Sequence, residues 1–270
     1  MNLSSYSWVQ FQENWRKSTR EILQTSELDN YWTSDSPEYG ISWQFFTDDM
    51  QTYFNLHKNS CSGYSGNSFS PFLPIDIDNI QTNPADIINQ LYDWGVEDFN
   101  FYFSGSKGYH IEIPSSLLGV EPCGNLPERY KYVASQLNIE ADTSLYKRNQ
   151  LYRLPNTLNS KSQLYKILLN PDDILSGMTL GDIKELARDP QDESFQIENM
   201  LRFVNKDKPA GLNKYLSELW DQSITHFNTK TPHVAGVKKG KRNSTAYDTA
   251  LGLKTQGATL EEAKRTIIRE

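Results

Sequence analysis

The chain of 270 residues predicts a mixed α+β fold. Three observations carry that prediction: short runs of strand-like alternation, helix-start and helix-stop signals lying between them, and a composition that supports a packed core. Hydrophobic residues make up 37%, aromatics 12% and charged residues 23%, which is the balance of a globular rather than a disordered chain.

Residues 1–70 are polar and aromatic, with scattered Trp, Tyr and Phe, and carry no motif. The run NSCSGYSGNSFS at 59–70 reads as a loop. FLPIDID at 72–78 alternates β-branched residues with carboxylates, the pattern of a strand with one functional face. Asn83 then reads as an N-cap and Pro84 as the first helical residue. Ile87, Ile88, Leu91 and Trp94 line one face, and Gly95 closes the helix. DFNFYF at 98–103 and YHIEIP at 109–114 read as two further strands, separated by the glycine turn SGSKG. A helix is expected at about 126–137. After Asp142 come a strand (QLYRL), a turn (PNTLNSKS) and another strand (LYKILL), and Thr179 caps a short helix reaching Arg188. Asn243 opens a helical run that ends at Gly257, and Thr259-Leu-Glu-Glu262 is a capping-box pattern.

No stretch approaches the roughly 20 apolar residues of a membrane helix, and the N-terminus lacks the plan of a signal peptide. Two cysteines, Cys61 and Cys123, exclude a disulfide framework and offer no recognisable zinc site. The expectation is a soluble cytoplasmic protein with no membrane partner. A net charge of −7 opposes phosphate binding, but the acidity is concentrated: residues 1–100 have a balance of −10 and residues 101–270 of +3. A nucleic-acid partner is permitted.

Three constellations carry chemistry. In a strand, Asp76 and Asp78 point to the same side while Ile75 and Ile77 enter the core. Two adjacent carboxylates repel, so a divalent cation is a natural neutraliser, although an acidic, solvent-facing strand edge gives the same pattern. Ser104-Gly105-Ser106-Lys107-Gly108-Tyr109-His110 combines an anion-cradling glycine turn with a hydroxyl, an ammonium and an imidazole. It suits a triphosphate, and equally a plain hairpin turn with a surface Lys and a core His. Asp142 enters a basic, amide-rich segment in which Arg153 alternates with Tyr152 and Leu154. It reads as a third carboxylate beside phosphate-binding cations, or as a solvated hairpin whose charges pair locally.

In this order, the three segments resemble the three motifs of the archaeo-eukaryotic primase superfamily. Asp76 and Asp78 match its D-x-D strand, SGSKGYH at 104–110 matches S-G-x-x-G-x-H, and Asp142 after Ala141 matches the apolar-Asp motif. Tyr146 to Leu154 fits the Y-x-x-N-x-x-x-R-L pattern of prim-pols, and RLPNTLNSKS is similar to primases of bacterial mobile elements, phage or plasmid. The resemblance covers about residues 70–170. It implies an RRM-like antiparallel sheet fused to an N-terminal α/β module, with the active site between them. It also implies a primase-polymerase that synthesises or extends DNA primers with NTPs or dNTPs on a single-stranded DNA template, in replication of a mobile element or in repair, with a helicase as an accompanying partner.

The roles it implies are residue-specific. Asp76, Asp78 and Asp142 would hold two Mg²⁺ or Mn²⁺ ions, with no zinc. Ser104, Lys107, His110, Arg153 and Lys161 would contact the nucleotide triphosphate, and Lys161 stands two places further from Arg153 than in the eukaryotic prim-pol pattern. Arg148 and Asn149 would support the site or touch nucleic acid. The expected organisation is a catalytic domain over 1–190, a helical linker over 191–232 and a small helical module over 233–270 resembling a primase C-terminal module. Lys238, Lys239, Lys241 and Arg242 at the start of that module would meet template phosphates or a bound triphosphate. Two rivals stay open: a metal-dependent nuclease using the same carboxylates, and a non-catalytic replication-initiator module that binds DNA.

Overall fold

Alternation in short segments is realised as two antiparallel sheets in a computed structural model that describes residues 5–13, 20–31, 38–191, 203 and 211–228. In chain order the elements are β1 (Trp8–Glu13), β2 (Glu21–Gln24), β3 (Tyr39–Ser42), β4 (Phe45–Phe46), α1 (Asp48–Leu56), β5 (Ser68–Phe69), β6 (Phe72–Ile77), α2 (Pro84–Asp93), β7 (Asn100–Phe103), β8 (Tyr109–Pro114), α3 (Ser115–Leu118), α4 (Leu126–Gln136), β9 (Leu151–Arg153), β10 (Ile167–Leu169), α5 (Pro171–Leu175), α6 (Leu180–Leu186) and α7 (Lys214–Asn228). The fold is mixed α+β, as the sequence predicts.

The first sheet runs β5-β4-β1-β3-β9, with β2 added on β1. Its last strand comes from far along the chain: Gly40 pairs with Arg153 and Ser42 with Leu151. The second sheet runs β10-β7-β8-β6. The strands QLYRL and LYKILL therefore do not pair with one another, and the local hairpin is corrected. β9 joins β3 and β10 joins β7, so residues 154–166 connect the two sheets.

Period-two alternation gives the second sheet one apolar and one polar face. Ile75 and Ile77 of β6, Phe101 and Phe103 of β7, and Ile111 and Ile113 of β8 are fully buried in one core. Ile87, Ile88 and Leu91 of α2 and Tyr130 and Val133 of α4 belong to the same core. Each such side chain contributes roughly 1.5–3 kcal/mol on burial. The residues between them, Asp76, Tyr102, His110 and Glu112, stand on the opposite face, because Asp76 and Tyr102 both lie across from His110 in register.

The helix ends follow the sequence signals. Asn83 accepts from the Ala85 amide at 3.2 Å, with Pro84 opening α2. Gly95 adopts φ +72° just past the cap, a conformation that costs a residue with a Cβ. Thr179 and Asp182 form a reciprocal capping box at α6.

Residues 1–220 form one compact unit and 221–270 a second. Leu216 and Trp220 of α7 are buried in the first. The helical run expected from Asn243, the capping box at 259–262 and the cations Lys238, Lys239, Lys241 and Arg242 lie outside the described residues. Among the described residues no helix is long and apolar enough to cross a membrane.

Candidate active site

A cleft of about 470 Å³ opens on the polar face of the second sheet, where β9 and the 154–166 connection approach it. All eight residues that the sequence assigns to metal or triphosphate line it: Asp76, Asp78 and Asp142, then Ser104, Lys107, His110, Arg153 and Lys161.

The three carboxylates come together through backbone pairing. Asp76 sits near the end of β6, with Asp78 just beyond the strand. The Asp142 amide donates to the Asp76 carbonyl at 2.7 Å, which seats the third acid beside the first. Asp142 then caps a short 3₁₀ turn over Thr143–Leu145, accepting from the Ser144 amide at 2.8 Å and the Ser144 hydroxyl at 2.7 Å. That amide bond leads the influences that hold its carboxyl below the ordinary range. Asp76 behaves oppositely. Burial, then the charges of Asp78 and Asp142, push it up to about 7. Lys107 reaches across the glycine turn and pairs with Asp78 at 2.9 Å, both groups being exposed.

The chemistry of this donor set suits a hard divalent cation: three carboxylates, one of them raised toward the protonated form by burial and by its acidic neighbours. As placed, no three acidic, histidine or cysteine side chains among the described residues are gathered around one point.

The glycine turn is fixed against both flanking motifs. A Cβ on Gly108 would collide with the Ile77 carbonyl, immediately before Asp78. One on Gly105 would lie 2.8 Å from the Leu164 carbonyl, and the Ser162 hydroxyl donates to the Gly105 carbonyl. His110 lies opposite Asp76, its Nε2 3.5 Å from the Asp76 carboxylate. Its ring stacks on Tyr152 of β9, with centroids 4.5 Å apart. Burial, then the cations Lys166 and Arg153, hold its pKa well below the ordinary value, so the imidazole is neutral at pH 7. Its buried Nδ1 has no partner, and neither does the buried Nη1 of Arg153.

Arg153 is also held: its Nη2 lies 2.5 Å from Glu38, at 14% side-chain exposure. Beneath it runs a fully buried ion pair. Lys166 lies 3.9 Å from Glu112 and donates to the Arg153 carbonyl at 2.8 Å. Its ammonium also stands over the rings of Tyr152 (4.1 Å) and Tyr102 (4.5 Å). Asn100 donates to the other Glu112 oxygen at 3.0 Å. Burial drives the Lys166 pKa down to about 7 and raises that of Glu112. Lys166 thus ties the second sheet to the strand carrying Arg153.

Arg148 and Asn149 do not line the cleft. Arg148 donates to the Gly66 carbonyl at 2.9 Å and to the Gly124 carbonyl, pegging two loops together. The Asn149 carbonyl accepts from Arg20 at 2.5 Å. Both serve the scaffold here.

Sequence reasoning missed Glu38, Gln150, Asn159 and Ser160 on the cleft wall, and Lys166 and Glu112 under it. Glu38 lies in a segment with no motif. A lone lysine inside the apolar run LYKILL and a lone glutamate inside YHIEIP were available signals of a buried pair.

No family model and no curated protein matches the chain by sequence. Among solved structures it is similar to the catalytic domain of the primase RepB′ in complex with initiator DNA. That match has 10% identity and a TM-score of 0.40, and it covers 86% of this chain and 95% of that one. It is also similar to the primase RepB′, at 13% identity and a TM-score of 0.32, covering 99% of this chain and 84% of that one.

Proposed function

We propose that the chain is a DNA primase-polymerase, a nucleotidyltransferase that joins NTPs or dNTPs on a single-stranded DNA template. The observation that supports it is the composition of one cleft: three aspartates are lined up beside Ser104, His110, Arg153 and Lys161. A nuclease needs the first set and has no use for the second, whose donors suit a triphosphate. The motif resemblance over residues 70–170 supports the same reading. The four-stranded antiparallel sheet β10-β7-β8-β6, sharing one core with α2 and α4, supports its RRM-like part.

Asp76, Asp78 and Asp142 would hold Mg²⁺ or Mn²⁺. When bound, two such ions supply a more acidic 3′-hydroxyl and positive charge at the departing pyrophosphate. The side chains position the nucleotide. Lys107 transfers its ammonium from Asp78 to a phosphate oxygen as the carboxylate is taken up. His110, neutral and held flat by Tyr152, offers a ring nitrogen at fixed height. Arg153 and Lys161 balance the charge of the phosphate tail. Initiation on template, the helical C-terminal module and a helicase partner belong to the same reading, in replication of a mobile element or in repair.

The test is incubation with single-stranded template, labelled nucleotides and Mn²⁺ or Mg²⁺, with and without primer. Template-dependent products that vanish in Asp76→Ala are expected. Silence under both conditions, with DNA binding retained, would favour the initiator module.

A further inference from the structure

The cationic set of the cleft contains one acid that the proposed chemistry does not use. Glu38 comes from just before β3, in the N-terminal part of the chain, and its side chain is only 12% exposed. One carboxylate oxygen meets Arg153 Nη2 at 2.5 Å. The other accepts from the Ser160 hydroxyl at 3.0 Å. Ser160 is the neighbour of Lys161, and all four residues line the same cleft.

A carboxylate bridging a guanidinium and a hydroxyl offers two anionic oxygens to two donors, as a phosphate group would. A largely buried guanidinium needs such a partner before a ligand arrives, because an uncompensated cation there is costly. A triphosphate arriving at Arg153 brings its own negative charge. It cannot share the fork with Glu38 without like-charge repulsion at hydrogen-bond distance.

We propose that Glu38 is a built-in competitor for the phosphate seat: its carboxylate occupies the place of a phosphate group on Arg153 and Ser160, and sets how tightly a polyphosphate binds there. This rests on the reading of the cleft as a nucleotide site and adds a residue that tunes it. The consequence is selectivity. A ligand carrying several phosphates and reaching Lys161, Ser104 and His110 together can displace Glu38. A monophosphate, with fewer contacts to gain, cannot.

The test is calorimetric titration of the full chain with sodium tripolyphosphate and with inorganic phosphate. The proteins are wild type, Glu38→Gln, Arg153→Gln and the double variant. Glutamine keeps the shape and loses the charge, and the melting temperature of each variant checks the fold. Glu38→Gln should bind tripolyphosphate about tenfold more tightly, the worth of one charge-assisted hydrogen bond regained. The gain should disappear when Arg153 is already Gln. Equal or weaker binding by Glu38→Gln would overturn the proposal and make Glu38 an orienting partner of Arg153. An equal gain in the Arg153→Gln background would overturn it as well, leaving only a general charge effect. If the gain appears and no variant incorporates nucleotide, the seat stands and the polymerase reading falls. If neither wild type nor Glu38→Gln takes up tripolyphosphate, both fall.

Discussion

The two residue sets of the cleft are built in different ways. The aspartates are brought together by backbone pairing: β6 carries Asp76, Asp78 follows the strand, and a hydrogen bond from the Asp142 amide to the Asp76 carbonyl adds the third acid. The cationic set is joined through side chains: Arg153 on β9 pairs with Glu38 from before β3, Lys161 lies in the connection, and Lys166 and Glu112 lie beneath. The first set is crowded with like charge, with Lys107 on Asp78, while the second is neutralised by its own residues. On the proposed reading the aspartates take up a cation, and the other set exchanges one anion for another.

The comparison is broken most severely from underneath. Lys166→Met alone leaves Glu112 buried without its partner and should cost about 3–5 kcal/mol, whereas Lys166→Met with Glu112→Gln should recover most of that loss. Chemical denaturation of the three proteins checks this. If the double variant were as unstable as the single, the pair would be needed for more than mutual neutralisation.

Next in size is the aspartate set. Asp76→Ala should lower nucleotide incorporation by roughly 10²–10³-fold, the range for removing one electrostatic stabiliser of a transition state. Template binding, measured by fluorescence anisotropy, should largely survive. His110→Ala, beside Asp76, should raise the nucleotide KM by about tenfold or more, in line with the ~1.5–3 kcal/mol of a hydrogen bond to a charged group. Its kcat should change less, and an unchanged KM would remove His110 from the phosphate seat.

The smallest effect sharpens the contrast through pH. With Asp76 raised from 3.8 to about 7, the folded chain keeps a proton that the unfolded chain releases between those values. Stability in chelator should therefore fall as pH rises from about 4 to about 7, and Asp76→Asn should abolish that slope. Each kcal/mol recovered would appear as about 2–4 °C in the melting temperature. A divalent cation at pH 7 should produce a similar rise in the wild type.

The same division separates what the sequence made legible from what it did not. Asp76, Asp78, Ser104, Lys107 and His110 could be read because period-two alternation and a glycine turn set their directions locally. Arg153 could be placed on a polar face, but its strand's partner could not. β9 pairs with β3 across more than a hundred residues, and nothing within QLYRL distinguishes that pairing from a hairpin with LYKILL. The hydrogen bonds of Arg148 were illegible for a related reason. A cation in a basic segment suggests phosphate, and only the fold shows two carbonyls, of Gly66 and Gly124, waiting for it. Glu38 was illegible because its function depends wholly on a neighbour that arrives from residue 153.

That long-range pairing also dictates an order of synthesis. β1, β3 and β4 can associate as soon as they leave the ribosome, yet β3 keeps a bare edge until residues 151–153 emerge. The whole second sheet except β10 is translated in the interval. A growing chain therefore carries an open strand edge, with its aromatic-rich sheet, through most of the second sheet's production. Chains halted before residue 151 should be prone to association, and those released beyond residue 170, with both sheets able to close, should not.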